Sequence, residues 1–241
     1  MALNFTIFGG GGKISKLFTS QAVKAGHKVN SIIKDNAHEE ELKALGATTH
    51  ILPLDKSTVP SISSLFNKVS PDVVLFAAGA GGKPPGPEEI DHKGAVKVFD
   101  AMEEAGIKRL IIIGAVAVRS KNSPVPDWYN DQDKDTESKF WKGLGTYMEA
   151  KLAAELNLHK RTAIDYTVLR PGSLTTEPAG GVQLGRTHLT PTSRELVAQT
   201  ALAVATTPGT EGLTIDVIDG SGELKSELKK VVDGKIDSWV G

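Results

Sequence analysis

Near the start of the chain, one stretch reads Leu3-Asn4-Phe5-Thr6-Ile7-Phe8-Gly9-Gly10-Gly11-Gly12-Lys13-Ile14-Ser15, and it decides the fold. The apolar run over 3–8 predicts a strand, and the periodicity of 14–25 predicts a helix. The four glycines between them allow a tight turn and let backbone N–H groups approach a pyrophosphate, whose charge the helix N-terminus favours. Because the turn joins a first strand to a helix, it predicts a dinucleotide-binding site.

The same turn contains Gly12 followed by a lysine, so the phosphate loop of a nucleoside triphosphatase is a rival interpretation. That motif requires a glycine five residues before Gly12, and a serine or threonine after the lysine to hold Mg²⁺. Ile7 and Ile14 occupy those positions, and the rival is rejected. The spacing that remains is Gly-x-x-Gly-x-x-Ser, formed by Gly9, Gly12 and Ser15.

Strands and helices alternate along the rest of the chain, which is the pattern of a parallel sheet covered on both faces. We therefore predict an α/β fold with a Rossmann-type doubly wound parallel sheet, in a single domain that spans residues 1–241. Residues 119–146, which have no clean period, and residues 172–192 are expected to form loops on the substrate side. The predicted strands are 3–8, 28–33, 49–54, 72–77, 109–118, 165–169 and 213–218, and the predicted helices are 14–25, 39–45, 59–69, 88–105, 145–160 and 193–206.

Composition excludes several classes of function. The 241 residues include no cysteine, so neither a disulfide nor thiol chemistry is available. The formal net charge of −1 gives no electrostatic footprint for nucleic acid or for an anionic membrane. The six histidines have no metal-ligand spacing, and no metal is expected. No signal-peptide pattern precedes the first strand, so we expect a cytoplasmic monomer or homodimer that binds a small-molecule substrate.

The end of the second strand, Ile32-Ile33-Lys34-Asp35, bears on which dinucleotide binds. NAD-binding proteins place an acid there for the ribose 2′-OH, whereas NADP-binding proteins place a cation near the 2′-phosphate. Lys34 can neutralise that phosphate, and Lys13 of the glycine turn can reach it, which favours NADP(H). Asp35 keeps NAD(H) open as the less favoured alternative.

Eight short motifs occur in order along nearly the whole chain. They are Gly9–Ile14, Ile33-Lys34-Asp35, Leu54-Asp55, Phe76–Gly79, Asp91–Gly94, Ala105–Leu110, Tyr147-x-x-x-Lys151 and Asp165–Gly172. In this order they resemble the atypical short-chain dehydrogenase/reductases, particularly the NAD(P)-binding group that includes NmrA-like and biliverdin reductase B-like proteins. Each motif is common alone, and the resemblance depends on their succession.

The resemblance implies a catalytic pair and a set of cofactor contacts. Tyr147 is expected to exchange a proton with the substrate oxygen, and Lys151 to lower the pKa of that phenol and bind the nicotinamide ribose. Their spacing of four residues places both on one helix face. The implied cofactor contacts are Gly9, Gly11, Gly12, Lys13, Ile14, Lys34, Leu54, Asp55, Ala77, Ala78, Gly79, Gly114, Lys151, Pro171, Gly172, Ser173 and Leu174.

The chain departs from this family at the end of the fifth strand, where Val-Ser-Ser is replaced by Ile113-Gly114-Ala115. The serine that polarises the carbonyl in active members is therefore absent, and such a donor is commonly worth about 10²–10³ in rate. Aromatic residues of the long connection are expected to wall an apolar substrate pocket. They are Trp128, Tyr129 and Trp141.

These observations predict an NADPH-dependent oxidoreductase, a reductase that acts on a small apolar carbonyl or conjugated substrate. Two alternatives stay open because the serine is missing. One is a non-catalytic NADP(H)-binding redox sensor or regulator, and the other is a redox-neutral isomerase or dehydratase, since one fold supports many chemistries.

Overall fold

The structure is a computed structural model that describes residues 1–241. Its strands are β1 (Asn4–Phe8), β2 (Lys28–Ile33), β3 (Thr48–Ile51), β4 (Val73–Phe76), β5 (Arg109–Ile113), β6 (Asp165–Pro171), β7 (Leu174–Thr175), β8 (Gly181–Gly185), β9 (Thr192–Ser193) and β10 (Leu213–Gly220). Eight of them form one sheet in the order β3-β2-β1-β4-β5-β6-β10-β8, and β7 pairs with β9. Every neighbouring pair in the large sheet is parallel except β10 with β8. The predicted Rossmann-type α/β fold is confirmed.

Helices cover both faces of the large sheet. They are α1 (Lys13–Lys24), α2 (Glu39–Ala44), α3 (Val59–Val69), α4 (Ala95–Ala105), α5 (Asp131–Leu158), α6 (Arg194–Ala205) and α7 (Leu224–Gly234), and a π-helical turn, Glu88–Gly94, leads into α4. One core of 24 buried residues lies under α1, α2, α6 and α7, and another of 20 lies under α3, α4 and α5. Burial on both faces explains why the central strands are continuously apolar. None of the helices is both long and apolar enough to span a membrane.

The strand order reverses between β1 and β4, and this reversal positions the site. From β1 the chain moves outward through β2 to β3, then returns to β4 on the other side of β1. The two connections leave in opposite directions, which opens a crevice at the carboxyl ends of these strands. Phe8 at the end of β1 precedes the glycine turn, and Phe76 at the end of β4 precedes Ala77–Gly79.

The prediction of a loop over residues 119–146 is wrong from Asp131 onward, where α5 begins. The first half of this helix carries few apolar residues, so its sequence shows no helical period. A polar cap forms the helix start instead, because Asn130 and Asp133 each accept a hydrogen bond from the other's backbone N–H at 2.9 Å. The stretch before Asn130 is irregular, as predicted.

The prediction of a loop over residues 172–192 is also wrong in part, because β8 pairs with β10 at the edge of the large sheet. Only Val182 and Leu184 of β8 are apolar and buried, a pattern too short to indicate a strand. β5 ends at Ile113 rather than at residue 118. Ala117, at a φ of +62°, adopts a conformation that strands do not contain. Beyond the last predicted element lies α7.

Candidate functional site

The glycine turn between β1 and α1 excludes side chains by close backbone approach. Gly9 has a φ of +81°, and a Cβ added to it would lie 2.6 Å from Cα of Ala78 at the end of β4. A Cβ on Gly11 would collide with the ring of His38. The turn therefore keeps its backbone bare where a phosphate must approach.

The first turn of α1 has no side-chain cap, unlike most other helices of the protein. The helices α3, α5, α6 and α7 each begin at a residue whose side chain accepts a backbone hydrogen bond. Gly12 is the N-cap residue that precedes α1, and it has no side chain that could accept such a hydrogen bond. The N–H groups of that turn and the positive end of the helix are therefore available to an anion.

A cavity of about 550 Å³ extends from the glycine turn across the ends of β2 and the loop after β3. We call it the first cavity. Nine predicted cofactor contacts line it, namely Gly9, Gly11, Gly12, Lys34, Leu54, Asp55, Ala77, Ala78 and Gly79. The structure thus brings together residues from four separate parts of the sequence at the predicted crevice.

The basic side chains that line this cavity are Lys34, His38, Lys56 and Lys83, and they differ from the predicted pair of Lys34 and Lys13. Lys34 lines it with 76% of its side chain exposed, and its Nζ lies 3.9 Å from the Asp35 carboxylate. Lys13 is exposed and does not line the cavity, because the first turn of α1 directs it outward, so the predicted contribution of Lys13 is not supported. His38 lines the cavity instead, with its Nδ1 3.3 Å from Nζ of Lys16. Sequence reasoning missed His38, since a lone histidine after a strand carries no motif.

A second cavity of about 950 Å³ adjoins the first and shares Ala77–Gly79 with it. Seven of the eight remaining predicted cofactor contacts line this second cavity, and so does the predicted catalytic Tyr147. The seven are Ile14, Gly114, Lys151, Pro171, Gly172, Ser173 and Leu174. Phe140 and Leu144 of α5 add apolar surface. The predicted catalytic pair and the turn after β6 therefore face one space.

Lys151 is almost completely buried and holds a fixed position. Its Nζ donates a hydrogen bond to the carbonyl oxygen of Ile113 at 3.0 Å and lies 3.2 Å from Oδ1 of Asp91. Asp91 comes from the π-helical turn before α4, and its other oxygen accepts a hydrogen bond from the N–H of Ala80 at 3.0 Å. The ammonium lies 5.6 Å from the centre of the Tyr147 ring. Sequence reasoning quoted Asp91 within a motif but gave it no role.

The pKa values of both members of this pair are raised, so the net lowering of the Tyr147 pKa that the resemblance implies is not found. Burial raises the pKa of the Tyr147 phenol, and the Lys151 ammonium offsets only part of that increase. Burial opposes the charge on Lys151, but Tyr147 and the carboxylates of Asp91 and Glu155 outweigh it, so the pKa of Lys151 is raised. At neutral pH the phenol therefore carries its proton and the amine carries its charge.

The missing serine has a structural counterpart at Gly114. A Cβ on Gly114 would lie 2.6 Å from Oε1 of Glu155, which is buried and accepts no hydrogen bond. The other oxygen of Glu155 accepts a hydrogen bond from Nε of Arg170 at 3.0 Å. A side chain at position 114 would thus point into this buried ion pair rather than into the second cavity. Ala115 does line that cavity, but it has no donor.

The three aromatic residues predicted to wall the substrate pocket line neither cavity. Tyr129 is buried, and Trp128 packs edge-to-face against it at 5.9 Å. Trp141 donates a hydrogen bond from Nε1 to the carbonyl oxygen of Ala117 at 3.0 Å. That prediction is therefore wrong, because these side chains anchor the connection and α5 to the body of the protein. The aromatic residues that line the second cavity are Phe140 and Tyr147.

Comparison with known proteins agrees with this geometry. A family model described as NAD(P)H-binding matches residues 9–208, which include the glycine turn and the strands beside the crevice. The chain belongs to this NAD(P)H-binding family. A Schizosaccharomyces pombe relative, UPF0659 protein C216.03, is 40% identical over 223 residues, with 90% of each chain covered.

Solved structures with the same fold include proteins described as an epimerase/dehydratase and as a reductase. A Bacillus halodurans protein, described as a candidate NAD-dependent epimerase/dehydratase, superposes with a TM-score of 0.77 at 26% identity and covers 95% of this chain and 100% of its own. ChuY, an anaerobilin reductase from Escherichia coli O157:H7, has the same fold, with a TM-score of 0.72 at 20% identity and coverage of 91% and 98%. The resemblance to the atypical short-chain dehydrogenase/reductases is confirmed.

The residues of this family member fit a dinucleotide. The bare glycine turn and the uncapped α1 fit a pyrophosphate, and the two adjoining cavities lie on either side of that point. An adenosine half would lie in the first cavity beside Leu54 and Asp55, and a nicotinamide half in the second beside Lys151 and the turn after β6.

Proposed function

We propose that the chain is an NADP(H)-dependent reductase acting on a small apolar carbonyl or conjugated substrate. The observation that carries this proposal is the position of Tyr147 and Lys151 on the wall of the second cavity, opposite the turn Pro171–Leu174. A protonated phenol beside a fixed ammonium is the arrangement that general acid catalysis needs. The mostly apolar lining favours a substrate with few polar groups.

The bound nicotinamide would supply the hydride. Tyr147 would give its phenolic proton to the substrate oxygen as that oxygen gains charge. Lys151 would make the transfer easier, because its positive charge stabilises the phenolate that is left. Asp91 and the Ile113 carbonyl oxygen hold the ammonium in place for this role.

Two other hydroxyl groups are available to polarise the substrate in place of the missing serine. Thr146 and Ser173 both line the second cavity, and neither hydroxyl donates a hydrogen bond within the protein. They lie on opposite walls, one on α5 and one in the turn after β6. Either would serve as a weaker replacement for a preorganised donor.

The preference for NADP(H) is supported by the charges around the first cavity. Lys34 and His38 lie at the end of β2 and just after it, where an adenosine ribose would carry its 2′-phosphate. Asp35 also lines this cavity, and its Oδ1 accepts a hydrogen bond from the N–H of Ala37 at 3.0 Å, so only Oδ2 is left to bind a ribose hydroxyl.

The replacement Tyr147→Phe tests the proposal. We expect turnover with a panel of carbonyl and conjugated substrates to fall about 10²-fold, while the dissociation constant of NADPH stays within about twofold, because the hydroxyl acts at the reacting oxygen. NADPH oxidation and fluorescence titration measure the two quantities. Tyr166→Phe is the matched control, since that phenol contacts His159 far from the cavity.

The similarity to the Bacillus halodurans protein supports a second candidate, a redox-neutral epimerase or dehydratase. Such an enzyme would return the hydride to the substrate, and no net NADPH oxidation would accompany turnover. Isotope exchange into a substrate without nucleotide consumption would therefore favour this candidate. Failure of every substrate, with tight NADPH binding unaffected by Tyr147→Phe, would instead indicate a sensor.

A further inference from the structure

Arg194 is a cation of the second cavity that carries no role so far. It is the first residue of α6, it is half-buried, and its side chain lines the cavity. Its Nη1 donates a hydrogen bond to the carbonyl oxygen of Thr175 at 2.8 Å. Thr175 pairs with Ser193 through β7 and β9, so a backbone scaffold fixes the position of the guanidinium.

No carboxylate lies within 4.0 Å of this guanidinium. Arg119, Arg161 and Arg170 each pair with an acid at 2.5–2.6 Å, whereas Arg109 has no acid partner and donates to three backbone carbonyl oxygens and the Thr210 hydroxyl instead. The neighbouring acid Glu195 does not form an ion pair with Arg194. Its Oε2 accepts a hydrogen bond from the N–H of Ala179 instead. Nε and Nη2 of Arg194 thus retain unused donors, which an anion in the cavity would satisfy.

The place of Arg194 in the fold indicates which anion. Both α1 and α6 are crossover helices between parallel strands, so both begin at the carboxyl edge of the sheet. They pack against each other over the same core. Ile14 in the first turn of α1 and Arg194 in the first turn of α6 line the same cavity. The free guanidinium and the first turn of the uncapped α1 therefore open onto the same cavity.

Three other cations are less suited to this role. Lys83 lines both cavities, but it is exposed and lies in the irregular stretch 80–87 rather than on a helix that packs against α1. Lys13 is exposed outside both cavities, and Lys151 is occupied by Asp91 and the Ile113 carbonyl oxygen. The backbone N–H groups of the glycine turn carry only partial charges. One of them is already used, because the N–H of Gly12 donates to the carbonyl oxygen of Gly9 at 2.9 Å. A diphosphate bound there carries two negative charges that this turn alone leaves incompletely neutralised.

We propose that Arg194 binds the diphosphate of the dinucleotide, completing from α6 the site that the glycine turn and α1 begin. This inference rests on the dinucleotide binding assumed in the proposed function. The planar guanidinium presents paired N–H groups that match phosphate oxygens, so its contribution depends on shape as well as charge.

The test measures dissociation constants of NADPH, NADH and adenosine 2′-monophosphate by calorimetry for the wild type, Arg194→Gln and Arg194→Lys. The monophosphate has the 2′-phosphate but no diphosphate. We expect Arg194→Gln to weaken both dinucleotides at least tenfold and to leave the monophosphate within twofold. Arg194→Lys keeps the positive charge but loses the paired N–H groups of the guanidinium. Its dinucleotide affinities should lie between those of the wild type and Arg194→Gln. Arg186→Gln, on a surface arginine stacked on Trp128, is the matched control and should change none of the three.

Unchanged dinucleotide affinity in Arg194→Gln overturns the inference, including the case in which only the KM of a substrate rises. Equal weakening of all three ligands also overturns it, because that result indicates damage to the whole site. The proposed function fails separately. A wild type that prefers NADH contradicts the choice of cofactor but leaves the test of Arg194 intact, since NADH contains the same diphosphate.

Discussion

Lys34 ends β2 at the edge of the first cavity, with three quarters of its side chain in solvent and one acid, Asp35, 3.9 Å away. An exposed ammonium that meets a phosphate gains a charge-assisted hydrogen bond worth about 1.5–3 kcal/mol, which is about tenfold or more in affinity. We therefore expect NADPH to bind at least tenfold more tightly than NADH, and Lys34→Ala to remove most of that difference.

Titration of both nucleotides against both proteins measures this preference. Lys24→Ala, at the far end of α1, is the control and should leave the ratio of affinities unchanged. Equal affinities in the wild type would contradict the NADP(H) assignment. They would transfer the recognition of the ribose to Asp35, the alternative that the sequence left open.

Two adjacent residues, Gly114 and Ala115, should respond in opposite ways to the serine that the family carries. Gly114→Ser places atoms against Oε1 of Glu155 and Cγ1 of Val168, so we expect a loss of about 1–3 kcal/mol in the free energy of unfolding. Ala115→Ser adds a hydroxyl on the cavity wall, so we expect unchanged stability and faster turnover.

Thermal melting and NADPH oxidation on the same preparations separate these effects. If Ala115→Ser leaves turnover unchanged, the substrate oxygen is already polarised by Thr146 or Ser173. If Gly114→Ser is as stable as the wild type, the Glu155 side chain can move away from the serine at little cost. Close packing would then not be the reason for a glycine at position 114.

At the scale of elements, α5 is a helix with a break. Leu144, between two glycines, has φ −127° and ψ 24°, which lie outside the helical region. Gly143, Leu144 and Phe140 all line the second cavity, while Tyr147 and Lys151 follow the break. The break therefore aims two halves of one helix at one cavity, and the glycines make it easy to bend there.

Replacing Gly143 and Gly145 by alanine tests this function of the break. An added Cβ meets nothing within 4 Å at either position, and alanine favours helix over glycine by about 0.8–1.0 kcal/mol. We expect each replacement to raise the melting temperature by about 2–4 °C and to lower turnover. Gly180→Ala, equally unobstructed but in a loop away from the cavities, should stabilise without lowering turnover. A stabilised double variant with full activity would contradict a role for bending.

The elements that could be predicted from sequence were those whose signal is local and apolar. The strands β1 and β4 are short, mostly apolar runs that end in glycine or alanine turns, and their pattern indicates burial on both faces. The first half of α5 escaped prediction because a polar cap forms its start. β8 escaped because two alternating residues carry too little pattern. Strand pairing determines β8 and side-chain capping determines the start of α5, and neither leaves a periodic pattern of apolar residues in the sequence.

The site divides in the same way. The glycine turn, Lys34 and the Tyr147–Lys151 pair could be predicted because each lies in a motif. His38 and Arg194 reach the site through tertiary packing and were not predicted, and Asp91 lies in a quoted motif whose spacing does not indicate its contact with Lys151. The aromatic residues of the long connection were wrongly predicted to line the substrate pocket. An irregular connection gives no sign that its side chains pack into the protein, yet Tyr129 is buried.

At the scale of the whole molecule, a buried polar cluster joins the site to the C-terminal segment. Arg170 of β6 pairs with Glu155 of α5, and Asp216 lies opposite Arg170 in the register of β6 with β10. Trp239 stacks on His159 at 3.9 Å, and the Arg170 guanidinium lies 5.2 Å from the Trp239 ring centre. One guanidinium thus serves two buried carboxyl groups, and burial raises the pKa of both.

This imbalance makes stability depend on pH through Asp216. Burial raises the pKa of Asp216 from 3.8 to about 7, although Arg170 and the Ser238 hydroxyl, 2.9 Å from its Oδ1, oppose the increase. Between pH 4 and 7 the folded state holds a proton that the unfolded state has lost, so stability falls as pH rises through that window. Asp216→Asn keeps the acceptor for Ser238 and removes the charge.

We therefore expect the stability gained from Asp216→Asn to grow from pH 4.5 to pH 8, by up to about 3 kcal/mol at 1.36 kcal/mol for each unit of pKa. Urea unfolding of both proteins at several pH values measures the difference. Asp127→Asn, at an exposed carboxyl in the irregular connection, should show no such growth. A gain that is the same at pH 4.5 and pH 8 would mean that Asp216 stays ionised beside Arg170. The cluster would then be a balanced network in which Glu155, rather than Asp216, carries the proton.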